Sequence, residues 1–280
     1  MSYISAYLVD QVSRGVSQTT VNEISALQNN IRSLLQQGYE TFLQGSYAND
    51  TSISDINDVD IVAIERPLLG FLPSIGTSSN LFYDIKSKLE TNSSYRGRVT
   101  IGRKCLTVTL ANRKADIVPA LRASGVTLNR FNEPIVIAQQ IRNYPKTHIS
   151  SGQAKNQRTN NNYKRVVRMV KNYVNNWNLD AVAPSFYVEC MIYSYTDTSF
   201  SNDLMMSLNN ILSHMTGSNF DPNFMTVAGD KNVISQTEWN PQSFIAFRNH
   251  IINNLQYLNA ALILNDETHA NANFRKFYNL

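Results

Sequence analysis

An α+β fold is what this sequence predicts, with strands and helices sharing residues 1–135 and a helical lobe over residues 136–280. Three observations carry that expectation. Two stretches, "DVDIVAI" and "RGRVTIGRKCLTVTLANRKADIVPAL", have the β-branched content and alternation of strands. An early stretch, "TVNEISALQNNIRSLLQQGY", repeats its apolar residues at helical spacing. Beyond about residue 135 the pattern shifts to helices.

Each element follows from local chemistry. Thr20 and Glu23 stand in capping-box register at the head of the first long helix. Val21, Ile24, Leu27, Ile31, Leu34 and Leu35 form its apolar face, and Gly38 is the expected stop. "YETFLQG" and "DVDIVAI" read as strands separated by a turn-rich loop. Residues 66–80, "RPLLGFLPSIGTSSN", carry Pro and Gly breakers and read as a loop. "LFYDIKSKLETNS" reads as a helix, and the strands that follow are expected to end at Pro119. Later come the helical stretches "NNNYKRVVRMVKNYVNNW", "SFYVECMIYSY", "NDLMMSLNNILSHM" and "NPQSFIAFRNHIINNLQYLNAALIL". In the last, Asn240 and Pro241 make an N-cap and first-position pair. A cleft between two such halves is the expected place for a ligand.

Composition excludes several classes. Apolar residues make up 42% and charged residues 16% of the 280, which fits a globular chain rather than a disordered one. The opening MSYISAYLVD lacks a basic start and apolar core, and no stretch is long and apolar enough for a membrane span. Cys105 and Cys190 are far apart and offer neither a disulfide framework nor zinc spacing. The expectation is a cytoplasmic protein with no membrane partner. The net charge of +4 is unevenly spread. Acids gather at Asp50, Asp55, Asp58, Asp60 and Glu65. Bases gather at Arg142, Lys146, Lys155, Arg158, Lys164, Arg165, Arg168 and Lys171. Two solvated faces, or a metal site opposite a phosphate-binding wall, would both produce that asymmetry.

The acids narrow the choice. In "QGSYANDTSISDINDVDIVAI", Asp58 and Asp60 lie on one face of a strand while Val59, Ile61 and Ala63 point the other way. Two carboxylates held together repel unless a cation joins them. A third acid, Asp116 in "KADIVPAL", sits on another apolar strand. Metal-assisted phosphoryl transfer needs carboxylates on adjacent rigid strands, because the two ions sit roughly 3.5–4 Å apart. It also needs a donor-rich turn for phosphates, which Gly45 and Ser46 supply. The chain lacks GxxxxGK[ST], a proper calcium loop at Asp55 and a GxSxG around Ser185.

"LQGSYANDTSISDINDVDIVAI" together with "ADIVPA" resembles the nucleotidyltransferase core of the DNA polymerase β superfamily. More narrowly it resembles the bacterial CD-NTases, relatives of animal cyclic GMP-AMP synthase, and "NYPKTH", "AKNQRTNNNYKRVVRMVKN" and "APSFYVECMIYS" resemble the helical-lobe segments of their E branch. The matching blocks run in order from about residue 43 to 195. The resemblance implies a mixed-sheet core and a C-terminal helical lobe, with the active site in the cleft. It implies that Asp58, Asp60 and Asp116 hold two magnesium ions, with manganese as the alternative, and that Asp116 helps the acceptor hydroxyl lose its proton. Gly45 and Ser46 would hold the donor triphosphate, joined by Lys171 and Ser185. Read without the resemblance, Lys171 is a solvated helix lysine and Ser185 the N-cap of "FYVECMIYS". Asn143 matches the position that faces the nucleobase, where a carboxamide can meet the O4/N3 edge of uracil; by itself it is a turn residue before Tyr144 and Pro145. This branch often carries a tryptophan shortly before that Asn, where this chain reads "AQQIRN".

The implied function is synthesis of a cyclic di- or trinucleotide from nucleoside triphosphates, with UTP among the substrates. The product would act on a separate effector in antiphage signalling. Three rivals stand beside it. A linear-product enzyme would share the core. A nucleotidylating antitoxin is usually shorter and lacks the helical lobe. A nucleic-acid sensor would use the basic stretch at 142–171, against which stand its sparse aromatic interleaving and the lack of a zinc insert.

Overall fold

The structure, a computed structural model, describes residues 3–53, 58–66, 78–111, 113–122, 135–137 and 141–280. Asp55, most of the expected 66–80 loop and Ala138–Gln140 lie outside the described residues. The elements run α1 (Ala6–Ser13), α2 (Gln18–Leu35), β1 (Tyr39–Gln44), α3 (Gly45–Ala48), β2 (Asp58–Glu65) and α4 (Ser78–Glu90). Next come β3 (Val99–Ile101), β4 (Leu106–Thr109), β5 (Lys114–Arg122), β6 (Ile135–Ile137) and β7 (Ile141–Asn143). Helices α5 (Pro145–Arg158), α6 (Asn162–Asn176), α7 (Ser185–Ser194), α8 (Leu204–Thr216), α9 (Pro241–Ile263) and α10 (Glu267–Tyr278) complete the chain.

Two compact units divide these elements. One, the sheet unit, is Val16–Asn49 with Asp55–Ser150; the other, the helical unit, is Met1–Gly15, Asp50–Ser54 and Ser151–Leu280. The contacts therefore change hands at 150/151 rather than at 135/136, and they return residues 1–15 to the helical part. Helix α1, which the periodicity did not announce, explains the second point. Ser5 caps it by accepting from the Leu8 N–H, and its apolar face of Leu8 and Val12 needs a core. That core is the helical one, shared with Tyr163, Val166 and Val170. Asn172 Nδ2 donates to Val12 O at 2.9 Å and holds the helix there. Strands β6 and β7 lie past the expected change to helices; three-residue strands are too short to leave a periodic signature.

In the sheet unit the strands are ordered β1-β2-β5-β4-β3, with β6 on β5 and β7 on β6. The pairing of β2 with β5 is parallel and the others are antiparallel, so the sheet is mixed. Alternation sorts its faces. Tyr39, Val59, Ile61, Ala63, Ala115 and Ile117 pack against Ile24, Leu27, Ile31 and Leu35 of α2 and Ile85 and Leu89 of α4. Burying each such aliphatic side chain contributes about 1.5–3 kcal/mol, which explains why the strand register is firmly set. The other face carries Phe42, Val62, Ile64 and Ala120 at one end of the strands and the acids at the other.

Two local expectations are corrected. Strand β5 does not end at Pro119 but passes through it to Arg122. Pro119 pairs with Ala63 on the β2 side. On the opposite side β4 pairing reaches only Ile117 and β6 pairing begins at Ala120, so the missing N–H faces a local edge. Helix α2 starts earlier than Thr20, because Ser17 is the cap and its Oγ accepts from the Thr20 N–H at 3.1 Å. Glu23 closes no capping box; it pairs with Arg113 at 2.6 Å. Gly38 follows the helix end at Leu35 and donates its N–H to Leu35 O at 3.1 Å. Ser17→Ala should cost about 1 kcal/mol of stability, seen as a lower urea midpoint. Glu23→Gln should cost under about 0.5 kcal/mol, since an exposed ion pair is worth little.

Candidate active site

The sheet register assembles the acids. Asp60 on β2 is the partner of Asp116 on β5, and Gln44 on β1 is the partner of Asp60. Asp58 lies two residues before Asp60 on the same face. On the far side of β5, Asp116 pairs with Thr107, whose hydroxyl donates to Asp116 Oδ1 at 2.6 Å. Asp58 is exposed while Asp60 and Asp116 are half-buried. Burial, then Asp116, then Asp58 push the Asp60 carboxyl up from 3.8 to about 6. The three carboxylates therefore share one electrostatic neighbourhood.

Gly45 sits against this group for a steric reason. Its φ is +72°, in the left-handed region where glycine is at no disadvantage. A Cβ there would collide with Asp60 Oδ2 and lie 3.1 Å from Asp60 Cγ. Only glycine lets the turn backbone approach the acid so closely. Ser46 follows it, half-buried, in the four-residue helix α3. Asn143 closes β7 in the same unit, half-buried, with its Oδ1 accepting from the Tyr144 N–H at 2.9 Å. That bond takes one of two lone pairs on the oxygen.

Lys171 and Ser185 belong to the helical unit. Lys171 is no solvated lysine: it is 4% exposed, pairs with Glu189 and donates to Thr51 Oγ1 at 3.2 Å. Ser185 is exposed and is the first residue of α7 rather than its cap; Pro184 holds the cap position. The reason is geometric. The Pro184 carbonyl already accepts from Tyr187 and Val188, so the helix begins one residue earlier than the serine would set it. Ser185 lies one turn ahead of Glu189 on α7 and so shares its helix side. The bases are not one wall either. Lys155 donates to Tyr195 O and Asp197, and Lys146 pairs with Glu40.

Sequence reasoning passed over Thr107 and Cys105. The antiparallel register of β4 on β5 brings Thr107 to Asp116, and alternation brings Cys105 to the same side. Burial and the neighbouring Asp116 push the Cys105 thiol up. No motif could have shown this, because the β3–β4–β5 order is needed to place either residue.

The donors suit a hard divalent cation in kind, being carboxylate oxygens. Burial is the main reason the Asp60 carboxyl is pushed up, and the neighbouring Asp116 and Asp58 add to it. Among the described residues no group of three or more His, Cys, Asp or Glu side chains is arranged to hold a metal ion.

Comparison with known proteins then places the chain. A family model for the C-terminal helical domain of cGAS/DncV-like nucleotidyltransferases matches residues 150–256. The cyclic UMP-AMP synthase of Rhodothermus marinus is 32% identical over 187 residues, 58% of this chain. The chain is similar to bacterial CD-NTases of the E branch. The match spans 65% of the length of the Rhodothermus synthase. The cyclic dipyrimidine nucleotide synthase CdnE of Legionella pneumophila is 29% identical over 208 residues, 64% of this chain and 70% of its own length. Among solved structures, the Elizabethkingia meningoseptica CdnE cyclic dinucleotide synthase with GTP and Apcpp is 26% identical. Its TM-score is 0.71, covering 90% of this chain and 99% of its own. The mixed sheet and helical domain are thus a fold shared with these synthases.

The Asp60 shift has a consequence for stability. A carboxyl whose pKa rises on folding binds more protons folded than unfolded between about pH 4 and 6. The metal-free chain should therefore gain stability as pH falls from 7 to 5, by on the order of 1 kcal/mol from this group. Asp60→Asn should melt higher than the parent at pH 7.5 without divalent ions, and the gap should narrow as pH falls through about 6 and close near pH 4. Calorimetry in chelator checks both.

Proposed function

We propose that this chain is a metal-dependent nucleotidyltransferase that joins nucleoside triphosphates and closes the product into a cyclic di- or trinucleotide. The observation that carries the reading is the register that sets Asp60 beside Asp116, with Asp58 on the same face and the Gly45 turn packed on Asp60. Its likeness to CD-NTases supports the same activity.

The chain's own groups divide the work. Asp58, Asp60 and Asp116 are the proposed holders of two magnesium ions, or manganese. Bound there, such ions would offset charge on the transferring phosphoryl group and acidify the acceptor hydroxyl. Thr107 fixes the plane of the Asp116 carboxylate, the group proposed to help the acceptor sugar hydroxyl lose its proton. The hydroxyl oxygen bonds to the α-phosphorus of the donor, and pyrophosphate leaves. A second attack within the linear intermediate closes the ring. Gly45, by admitting backbone close to Asp60, and Ser46 are proposed to hold the donor triphosphate. Ser185 and Lys171 are proposed to add donors. Two of the three Lys171 N–H groups are engaged by Glu189 and Thr51, which leaves one for phosphate.

Asn143 is proposed to read the base. With one lone pair bound to the Tyr144 N–H, its carboxamide keeps a second lone pair and its NH2. Such a group can meet the uracil edge, and two relatives are named for pyrimidine products. The Elizabethkingia enzyme was solved with GTP, so likeness to these enzymes alone does not choose the base. The setting proposed is the cytoplasm, where the product acts on a separate effector protein in antiphage defence. No helix among the described residues is long and apolar enough to cross a membrane.

Incubation with each pair of labelled NTPs should yield a phosphatase-resistant product in at least one pair, together with pyrophosphate. Asp58→Ala/Asp60→Ala should reduce it by about 10³-fold or more, the loss expected when charge stabilisation is removed. Phosphatase-sensitive product would instead indicate a linear oligonucleotide synthase, and undiminished product in the double variant would overturn the site. Asn143→Ser should shift incorporation from uridine toward purines by about tenfold, as expected for one lost base contact. Competition between UTP and ATP or GTP, read by product mass, measures this.

A further inference from the structure

The helical unit contains a buried ion pair that the reaction above barely uses. On α6, Lys164, Arg168 and Lys171 are spaced i, i+4 and i+7, along one side of the helix. Such a stripe ordinarily faces water, yet these residues are 7%, 8% and 4% exposed. Each is committed to protein. Lys164 Nζ pairs with Asp50 at 3.6 Å. Arg168 Nη1 donates to Asp50 O at 2.6 Å, and its Nε donates to Ser13 O at 2.7 Å. Lys171 donates to Thr51 Oγ1 and to Glu189 Oε1, and Thr51 Oγ1 donates to that same Glu189 oxygen. Thr51 is 1% exposed and Glu189 is 3% exposed.

Stability does not account for this arrangement. Taking an ammonium and a carboxylate out of water costs several kcal/mol per ion, and their attraction does little more than offset it. Well-packed apolar residues would serve a core as well. What buried polar groups add is a defined placement, here of residues 50 and 51. Asp50 has φ +54°, a conformation that needs holding in a residue with a Cβ. In the chain, this segment is the link between Gly45–Ser46 and Asp58. Its contacts assign Asp50–Ser54 to the helical unit, although both flanking stretches belong to the sheet unit.

We propose that Glu189 and Thr51 are positioning residues for the nucleotidyl-transfer reaction. With Lys171 they hold the link at residues 50–53, which limits the freedom of the turn at Gly45–Ser46 and of the strand entry at Asp58. Neither touches the reacting atoms. The inference rests on the nucleotidyltransferase reading given above.

The test uses the full chain and compares Thr51→Val, Thr51→Ser and Glu189→Gln with the parent. Pyrophosphate release is followed against NTP concentration, beside melting curves and amide hydrogen exchange. A positioning role lowers kcat about tenfold or more in Thr51→Val and Glu189→Gln while NTP KM stays within about twofold. Thr51→Ser, which keeps the hydroxyl, should retain most of the activity. Exchange should quicken across residues 45–53 and stay unchanged in α9 and α10. Folded variants with parental kcat would overturn the proposal, as would a kcat loss that vanishes at lower temperature in step with the melting shift. A lowered KM in Glu189→Gln would also overturn it, because the glutamate would then merely compete with phosphate for Lys171. If the parent chain itself transfers no nucleotide from any NTP pair, the functional reading falls and this inference with it. If the parent is active, Asp58→Ala is inactive and Thr51→Val is unaffected, this inference falls alone.

Discussion

Parallel pairing of β2 with β5 is the constraint on which the site depends. It places Asp60 and Asp116 directly side by side, and strand alternation adds Asp58 to the same face. A one-residue slip of that register would turn one strand's acids into the apolar core. The cost of such a slip is set by the opposite face, where Val59, Ile61, Ala115 and Ile117 are nearly or fully buried. Hydrophobic packing against α2 and α4 thus pays for holding like charges together. The raised pKa of Asp60 reflects its burial first and that imposed proximity second.

The turn at Gly45 extends the same logic to backbone. The antiparallel register of β1 on β2 ends with Gln44 beside Asp60, and the next residue must reverse direction within contact of a carboxylate. A positive φ and the absence of a Cβ satisfy both demands at once. Thr107, contributed by β4, adds one more restraint by fixing a single oxygen of Asp116. The site is therefore rigid where its supports are strands, which suits a reaction whose catalysis is mostly positioning and charge.

Electrostatics in the helical unit follow a different rule. A basic stripe on α6 that could have been a solvated face is instead buried and paired with Asp50, Thr51, Ser13 and Glu189. Charges buried this way specify where a segment goes more than they add to stability. They draw the link between the glycine turn and the acid strand into the helical unit's contacts.

Sequence by itself determined what depends on neighbours a few residues apart. Apolar spacing placed α2, α4 and α6–α9 within a few residues, and period two put Asp58 and Asp60 on one face opposite Val59 and Ile61. Residue type and order of motifs were enough to suggest the nucleotidyltransferase family. Tertiary structure decided what depends on pairing across long stretches of chain. The partnership of Asp60 with Asp116 needs a parallel crossover between strands whose paired residues lie 56 positions apart. The continuation of β5 through Pro119 needs the gap between β4 and β6 on one side of the strand. The burial of Lys171 needs Glu189 and Thr51, the latter separated from it by 120 residues. Local periodicity carries no information about which distant carboxylate will meet a lysine, and only the folded register and packing supply it.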